Sequence, residues 1–144
     1  MKVQNLIQTR QEVFSIAEDT TVHETARFLR EKQVRSVGVC DRQGKLVGVV
    51  SQSDISNKVA AENKCPAWMR VTEIMTTNVT TVSPEAPLDE CVRLMEKLGA
   101  YHLPVIDAQG GYRGMVSVKD LLKVIASDEK ARADMLEAFI FPPR

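Results

Sequence analysis

Excess charge of either sign is absent from this sequence. Nineteen Lys and Arg stand against nineteen Asp and Glu, so nothing provides the broad basic footprint that a nucleic-acid backbone requires. Long apolar runs are missing as well. None approaches the roughly 18 residues needed to cross a bilayer, and no membrane role is expected. The N-terminus, MKVQNLIQTRQEVF, lacks the apolar stretch and small-residue cleavage site of a signal peptide. Cysteine is scarce and unpaired: Cys40, Cys65 and Cys91 form no CxxC motif, which points to reduced thiols and a cytoplasmic protein. The two histidines, His23 and His102, are too far apart for a metal motif of usual spacing. GKLVG has neither the spacer nor the Lys-Ser/Thr pair of a phosphate-binding P-loop. No metal site, no required cofactor and no enzymatic activity are expected.

What the sequence does have is a 44% hydrophobic content, enough for a real core, and an internal duplication. At an offset of 66 residues, Glu24 meets Glu90, Arg27 meets Arg93, Val39 meets Val105, Asp41 meets Asp107, Gly48 meets Gly114 and Ser51 meets Ser117. The register holds without a gap from about Ser15 to Ala60. Each copy opens on a short apolar stretch, EVFSI or NVTTV, read as a brief strand. Val22, Ala26 and Leu29, matched by Leu88, Val92 and Met95, give the stripe of an amphipathic helix. Thr21 with Glu24 has the form of a capping box, and Pro87 suits a first helical turn. SVGVCD and HLPVID read as strands, RQGK and AQGG as glycine turns into LVGVVS and YRGMVS, and SDISNKVAAE and KDLLKVIAS as closing helices. The pattern is β-α-β-β-α, twice. The expected organisation is repeat 1 over 1–61, a linker over 62–69, repeat 2 over 70–126 and a C-terminal helix or tail over 127–144. In that tail Ala131, Met135, Ala138 and Phe139 share a side, Pro142 and Pro143 stop the helix, and the apolar residues either fold back or dock on a second subunit. Trp68 is expected to anchor packing between the repeats, and the charge-rich LREKQVR to be a solvated helix face.

Each copy also ends its last strand in Gly-x-x-Ser-x-x-Asp, with Ser51 and Asp54 in one and Ser117 and Asp120 in the other. A helix start offers unpaired amides and a positive dipole end, so a hydroxyl there suits a phosphate. A carboxylate one turn later can accept from paired sugar hydroxyls. The same spacing also describes a capping box that satisfies the helix start. Spacing leaves both readings open, since a duplicated unit inherits caps as well as sites.

The duplicated β-α-β-β-α unit, HLPVID and both Gly-x-x-Ser-x-x-Asp junctions resemble a pair of cystathionine-β-synthase (CBS) domains, the Bateman module, over roughly residues 1–126. The resemblance implies an α/β fold in which two repeats pack about a pseudo-twofold axis. It also implies a homodimer, and clefts that take AMP, ADP, ATP, NAD or S-adenosylmethionine. It assigns the ribose to Asp54 and Asp120 and the phosphate side to Ser51 and Ser117. The adenine wall falls to Val13, Phe14, Ser15 and Val37 in one repeat, and to Val79, Thr80, Thr81, His102, Leu103 and Pro104 in the other. Two departures stand out. Gly38 replaces the family proline that repeat 2 keeps as Pro104. At the first junction the family's arginine is missing from Ser51-Gln52-Ser53-Asp54, leaving Lys58 and, in repeat 2, Lys119 as the local cations. The missing arginine favours AMP or an NAD-like ligand over ATP. The expected function is a regulatory ligand sensor that signals through oligomer or partner packing. The alternatives are an interaction module with vestigial clefts and a tandem of ferredoxin-like amino-acid sensors. The latter requires an extra strand after each second helix.

Overall fold

The computed structural model describes residues 1–127 and 129–140. In chain order the elements are α1 (Val3–Ile7), β1 (Ser15–Ala17), α2 (Val22–Lys32), β2 (Ser36–Cys40), β3 (Leu46–Ser51) and α3 (Gln52–Ile55), which runs on as a π turn over Ser56–Ala60. Two short 3-10 turns, Pro66–Trp68 and Val71–Glu73, lead to α4 (Leu88–Leu98), β4 (His102–Ile106), β5 (Tyr112–Ser117), α5 (Val118–Ser127) and α6 (Glu129–Ile140). The chain divides into two compact units. One comprises Phe14–Val79 with Gln109–Tyr112, and the other Met1–Val13 with Thr80–Ala108 and the chain from Arg113 onward.

In the first unit β1 runs parallel to β2, and β2 antiparallel to β3 with an irregularity between Val39 and Cys40. Ile16, Val22, Leu29, Val37, Val39, Val50, Val59, Val71 and Ile74 form its core. Thr21 caps α2, its Oγ1 accepting from the Glu24 amide. The buried stripe of α2 is Val22, Thr25 and Leu29, so Thr25 takes the place expected of Ala26. Burial is tolerable because the Thr25 hydroxyl donates to the Thr21 carbonyl at 2.8 Å. Among the described residues no strand lies between α3 and α4 and none follows α5, unlike the ferredoxin-like alternative.

In the second unit β4 and β5 form a hairpin, and the expected opening strand shrinks to one parallel bridge, Val82 to Val105. Pro104 explains the shortening, since it has no N–H with which to extend the ladder toward Thr80. The core gathers Val3, Val82, Leu88, Cys91, Val92, Met95, Leu103, Val105, Val116 and Leu121, with Met135 and Ala138 from α6. Met135 and Ala138 are buried while Leu136, Phe139 and Ile140 are exposed. The tail helix thus folds back along α4 and α5 through its small and flexible residues. Ala131 and residues 141–144, named above for this helix, lie outside the residues whose side chains are described.

The segment ahead of each repeat packs in the other repeat's unit. Val3 donates its amide to the Ala86 carbonyl at 2.8 Å, and Val71 donates to Thr20 at 2.8 Å. Both valines are fully buried. Trp68 corrects an expectation: it is 86% exposed, because Val71 and Ile74 anchor the linker instead and leave the indole pointing outward.

The thiols divide by burial. Desolvation raises the Cys40 thiol above its ordinary value and pushes Cys91 up to about 12, with Glu90 and Asp89 adding to the shift. Only Cys65 is exposed. Thiolate is the reactive form, so a maleimide is expected to add once to the native protein and three times after unfolding, read by intact mass. Rapid native labelling of all three would contradict this packing. Because an unfolded thiol ionises near 9.0 and burial pushes Cys91 up to about 12, stability that is complete below pH 9 is lost as pH rises through that window.

Candidate functional site

Both Gly-x-x-Ser-x-x-Asp junctions adopt the same local structure, each inside its own unit. Ser51 ends β3 as the N-cap of α3, with extended backbone angles. Its amide donates to Asp54 Oδ2 at 2.9 Å, its hydroxyl donates to the same oxygen at 3.1 Å, and the Asp54 amide returns to Ser51 Oγ at 3.3 Å. The Ser117 amide and hydroxyl each donate to Asp120 Oδ2 at 2.9 Å, and the Asp120 amide returns at 3.2 Å. The capping box is real in both copies, a device worth about 0.5–2 kcal/mol.

These boxes leave the helix starts with few donors. Beyond the amides already engaged, Gln52 donates to the Arg35 carbonyl and Val118 to the Tyr101 carbonyl. An anion arriving at either junction therefore meets mostly occupied N–H groups, and a side-chain cation becomes decisive.

The two junctions supply that cation differently. At the first, Lys58 lies one turn beyond Asp54, its ammonium 3.1 Å from Oδ1 and donating to the Ile74 carbonyl at 2.8 Å. Asp54 thus has both oxygens engaged, and its side chain is only 14% exposed. At the second, Arg10 arrives from beyond α1 and places Nη2 3.0 Å from Asp120 Oδ2. A Cβ on Gly114 would stand 3.3 Å from Arg10 Nη1, so a bare backbone lets the guanidinium lie close against β5 (φ is +132° there). Asp120 Oδ1 has no partner among the described residues.

Arg10 is remote in sequence from the junction it reaches and is not among the cations that the local motif marks there. Its signal was present: VQNLIQTR aligns with VTEIMTTN at an offset of 68 rather than 66, and in that frame Arg10 faces Asn78.

The remaining candidates fall into two groups. Ser117, Lys119, Asp120, Val13, Thr80, Thr81, His102, Leu103 and Pro104 share the unit that holds Arg10. Lys119 is exposed, His102 half-buried, and the Leu103 side chain lies wholly in the core. Phe14, Ser15, Val37, Ser51, Asp54, Lys58 and Val79 share the other. There Val37 is a core residue, and the Phe14 ring meets Phe28 edge-on at 6.1 Å beneath the Lys32 ammonium. Side chains of Val37 and Leu103 face the interior, leaving only their backbone for an outside partner.

The departure at Gly38 has a physical cause. A Cβ there would stand 2.5 Å from the Tyr112 ring, so the phenol occupies the face that a proline or larger residue would fill.

Among the described residues no helix is long and apolar enough to cross a membrane, and no group of three or more His, Cys, Asp and Glu could hold a metal ion.

The CBS domain profile matches residues 3–61 and 71–127. Homoserine O-acetyltransferase of Methanohalobium evestigatum is 32% identical over 115 residues, which cover 80% of this chain but 22% of that protein. The enzymatic name therefore belongs to a protein of which this chain spans about a fifth. A solved protein with CBS domains from Burkholderia ambifaria MC40-6 aligns with a TM-score of 0.80 at 27% identity, covering 90% of this chain and 96% of that one. The CBS domain pair of protein MJ0100, solved in complex with 5′-methylthioadenosine and S-adenosyl-L-methionine, aligns with a TM-score of 0.78 at 26% identity, covering 88% and 96%. The duplicated units, their paired junctions and the profile match together make this chain a tandem pair of repeats that belongs to the CBS domain family.

Proposed function

We propose that the chain is a sensor for an adenosine-type ligand, with AMP or an NAD-like molecule favoured over ATP, and that it signals through packing against a second copy or a separate target protein in the cytoplasm. The observation that carries this reading is the second junction. Asp120 is held rigidly by Ser117, keeps Oδ1 without a partner among the described residues, and has Arg10 beside it. A fixed carboxylate oxygen suits a ribose hydroxyl, and a guanidinium suits an anion. A solved relative with an adenosine thioether and a sulfonium analogue bound supports the ligand class. Sensing requires only differential affinity: a ligand preferring one packing arrangement tenfold shifts the balance by about 1.4 kcal/mol.

A second reading, an interaction module without ligand, has its own observation at the first junction. Asp54 is closed there by Ser51 and Lys58. Titration calorimetry with AMP, NAD, S-adenosylmethionine and ATP separates the two. Saturable heat from AMP or NAD exceeding that from ATP is expected. Silence from all four, with no thermal shift, overturns the sensor.

A further inference from the structure

We infer that Arg10 is the anion-selecting residue of the Ser117–Asp120 junction, making that junction choose adenosine-type ligands that carry a negative group, whereas the Ser51–Asp54 junction has no such selector. This rests on the reading of the junction as an adenosine-ligand site, and it names a residue from outside the repeat motif as the one that sets the ligand's charge.

Three observations carry it. The amides of Ser117, Val118 and Asp120 are all engaged, so backbone groups cannot supply most of the anion's bonds. Arg10 uses one nitrogen on Asp120 at 3.0 Å, while the rest of its guanidinium fork has no partner among the described residues. A guanidinium can hold a carboxylate and an oxyanion at once, because its five donors lie in one plane and point in different directions. The counterpart in the first unit lacks these properties. The position equivalent to Arg10 is Asn78, and the local cation, Lys58, is divided between Asp54 and the Ile74 carbonyl.

A structural role alone accounts poorly for the pair. Arg10 and Asp120 side chains are 27% and 28% exposed, and such partly solvated ion pairs contribute about 0–1 kcal/mol.

The test compares AMP with adenosine, which differ by the phosphate, on the full chain and on Arg10→Gln and Arg10→Lys, by calorimetry with thermal unfolding alongside. The preference for AMP over adenosine is expected to fall by about tenfold or more in Arg10→Gln, and to survive in part in Arg10→Lys, which keeps the charge without the fork. If wild-type protein binds both ligands and Arg10→Gln leaves their ratio unchanged, Arg10 is not the selector, although the ligand reading stands. If wild-type protein binds neither, both fall. Equal weakening of the two ligands with a lowered melting temperature in both variants marks Arg10 as merely structural and overturns the inference.

Discussion

Asp120→Ala is expected to weaken AMP binding by about a hundredfold or more while leaving the protein folded. Two losses combine. The ligand loses a fixed acceptor for its ribose, and Arg10 loses the carboxylate that aims it, since Nη2 to Oδ2 is its side-chain ion pair at 3.0 Å; hydrogen bonds to charged groups contribute about 1.5–3 kcal/mol each. The variant also loses the capping box, a cost of about 1 kcal/mol, so the melting temperature drops by a few degrees. Ser117→Ala separates the effects. It removes the capping hydroxyl, which already donates to Asp120 and accepts from its amide, but keeps the carboxylate. Its melting temperature should fall similarly and its affinity far less. Asp54→Ala should disturb AMP binding little, because that carboxylate is already closed. Intact affinity in Asp120→Ala with only a lower melting temperature would reduce the junction to a helix cap.

The largest stability effect is expected at Gly38. Valine there must place its Cβ about where the Tyr112 ring lies, 2.5 Å from Cζ and 2.7 Å from Cε1, and Gly38 is buried in the middle of β2. The strand cannot shift away easily, because Gly38 pairs with Val49 on one side and Ser15 on the other. Overpacking of this kind costs about 1–3 kcal/mol, which for a chain of this size lowers the melting temperature by about 10 °C at the upper end. Tyr112→Ala added to Gly38→Val should restore part of the loss, since each change relieves what the other imposes. A Gly38→Val protein that melts like the parent would mean the ring does not sit on that strand.

Much of this architecture was legible in the sequence because duplication doubles every local signal. The stripe of Leu88, Val92 and Met95, the glycine turns and the paired junctions all recur at one offset. Thr21 announced its cap correctly, although Glu24 completes it by accepting from the Thr21 hydroxyl rather than from the Thr21 amide that a full capping box uses. What escaped were features set by distant contacts. Thr25 is buried through a bond to its own helix, which a hydropathy stripe cannot see. The opening strand of the second repeat is cut short by a proline on its neighbour. Tyr112 fills the face of Gly38 from the far half of the chain, and Trp68 is exposed because smaller residues anchor the linker. Arg10 belongs to a segment registered at a different offset, so the frame that revealed the repeats concealed their most informative cation. The junctions themselves were ambiguous from spacing for a physical reason: one oxygen of each aspartate makes the cap, and the two copies differ in the other oxygen, held by Lys58 in the first unit and without a partner among the described residues in the second.

A crystal structure of the protein grown with AMP addresses the central claim most directly. The account predicts the ribose hydroxyls within hydrogen-bonding distance of Asp120 Oδ1 and the phosphate against the Arg10 guanidinium, with Ser117 still capping α5. Nucleotide bound elsewhere, or a saturated crystal with nothing at Asp120, would contradict it.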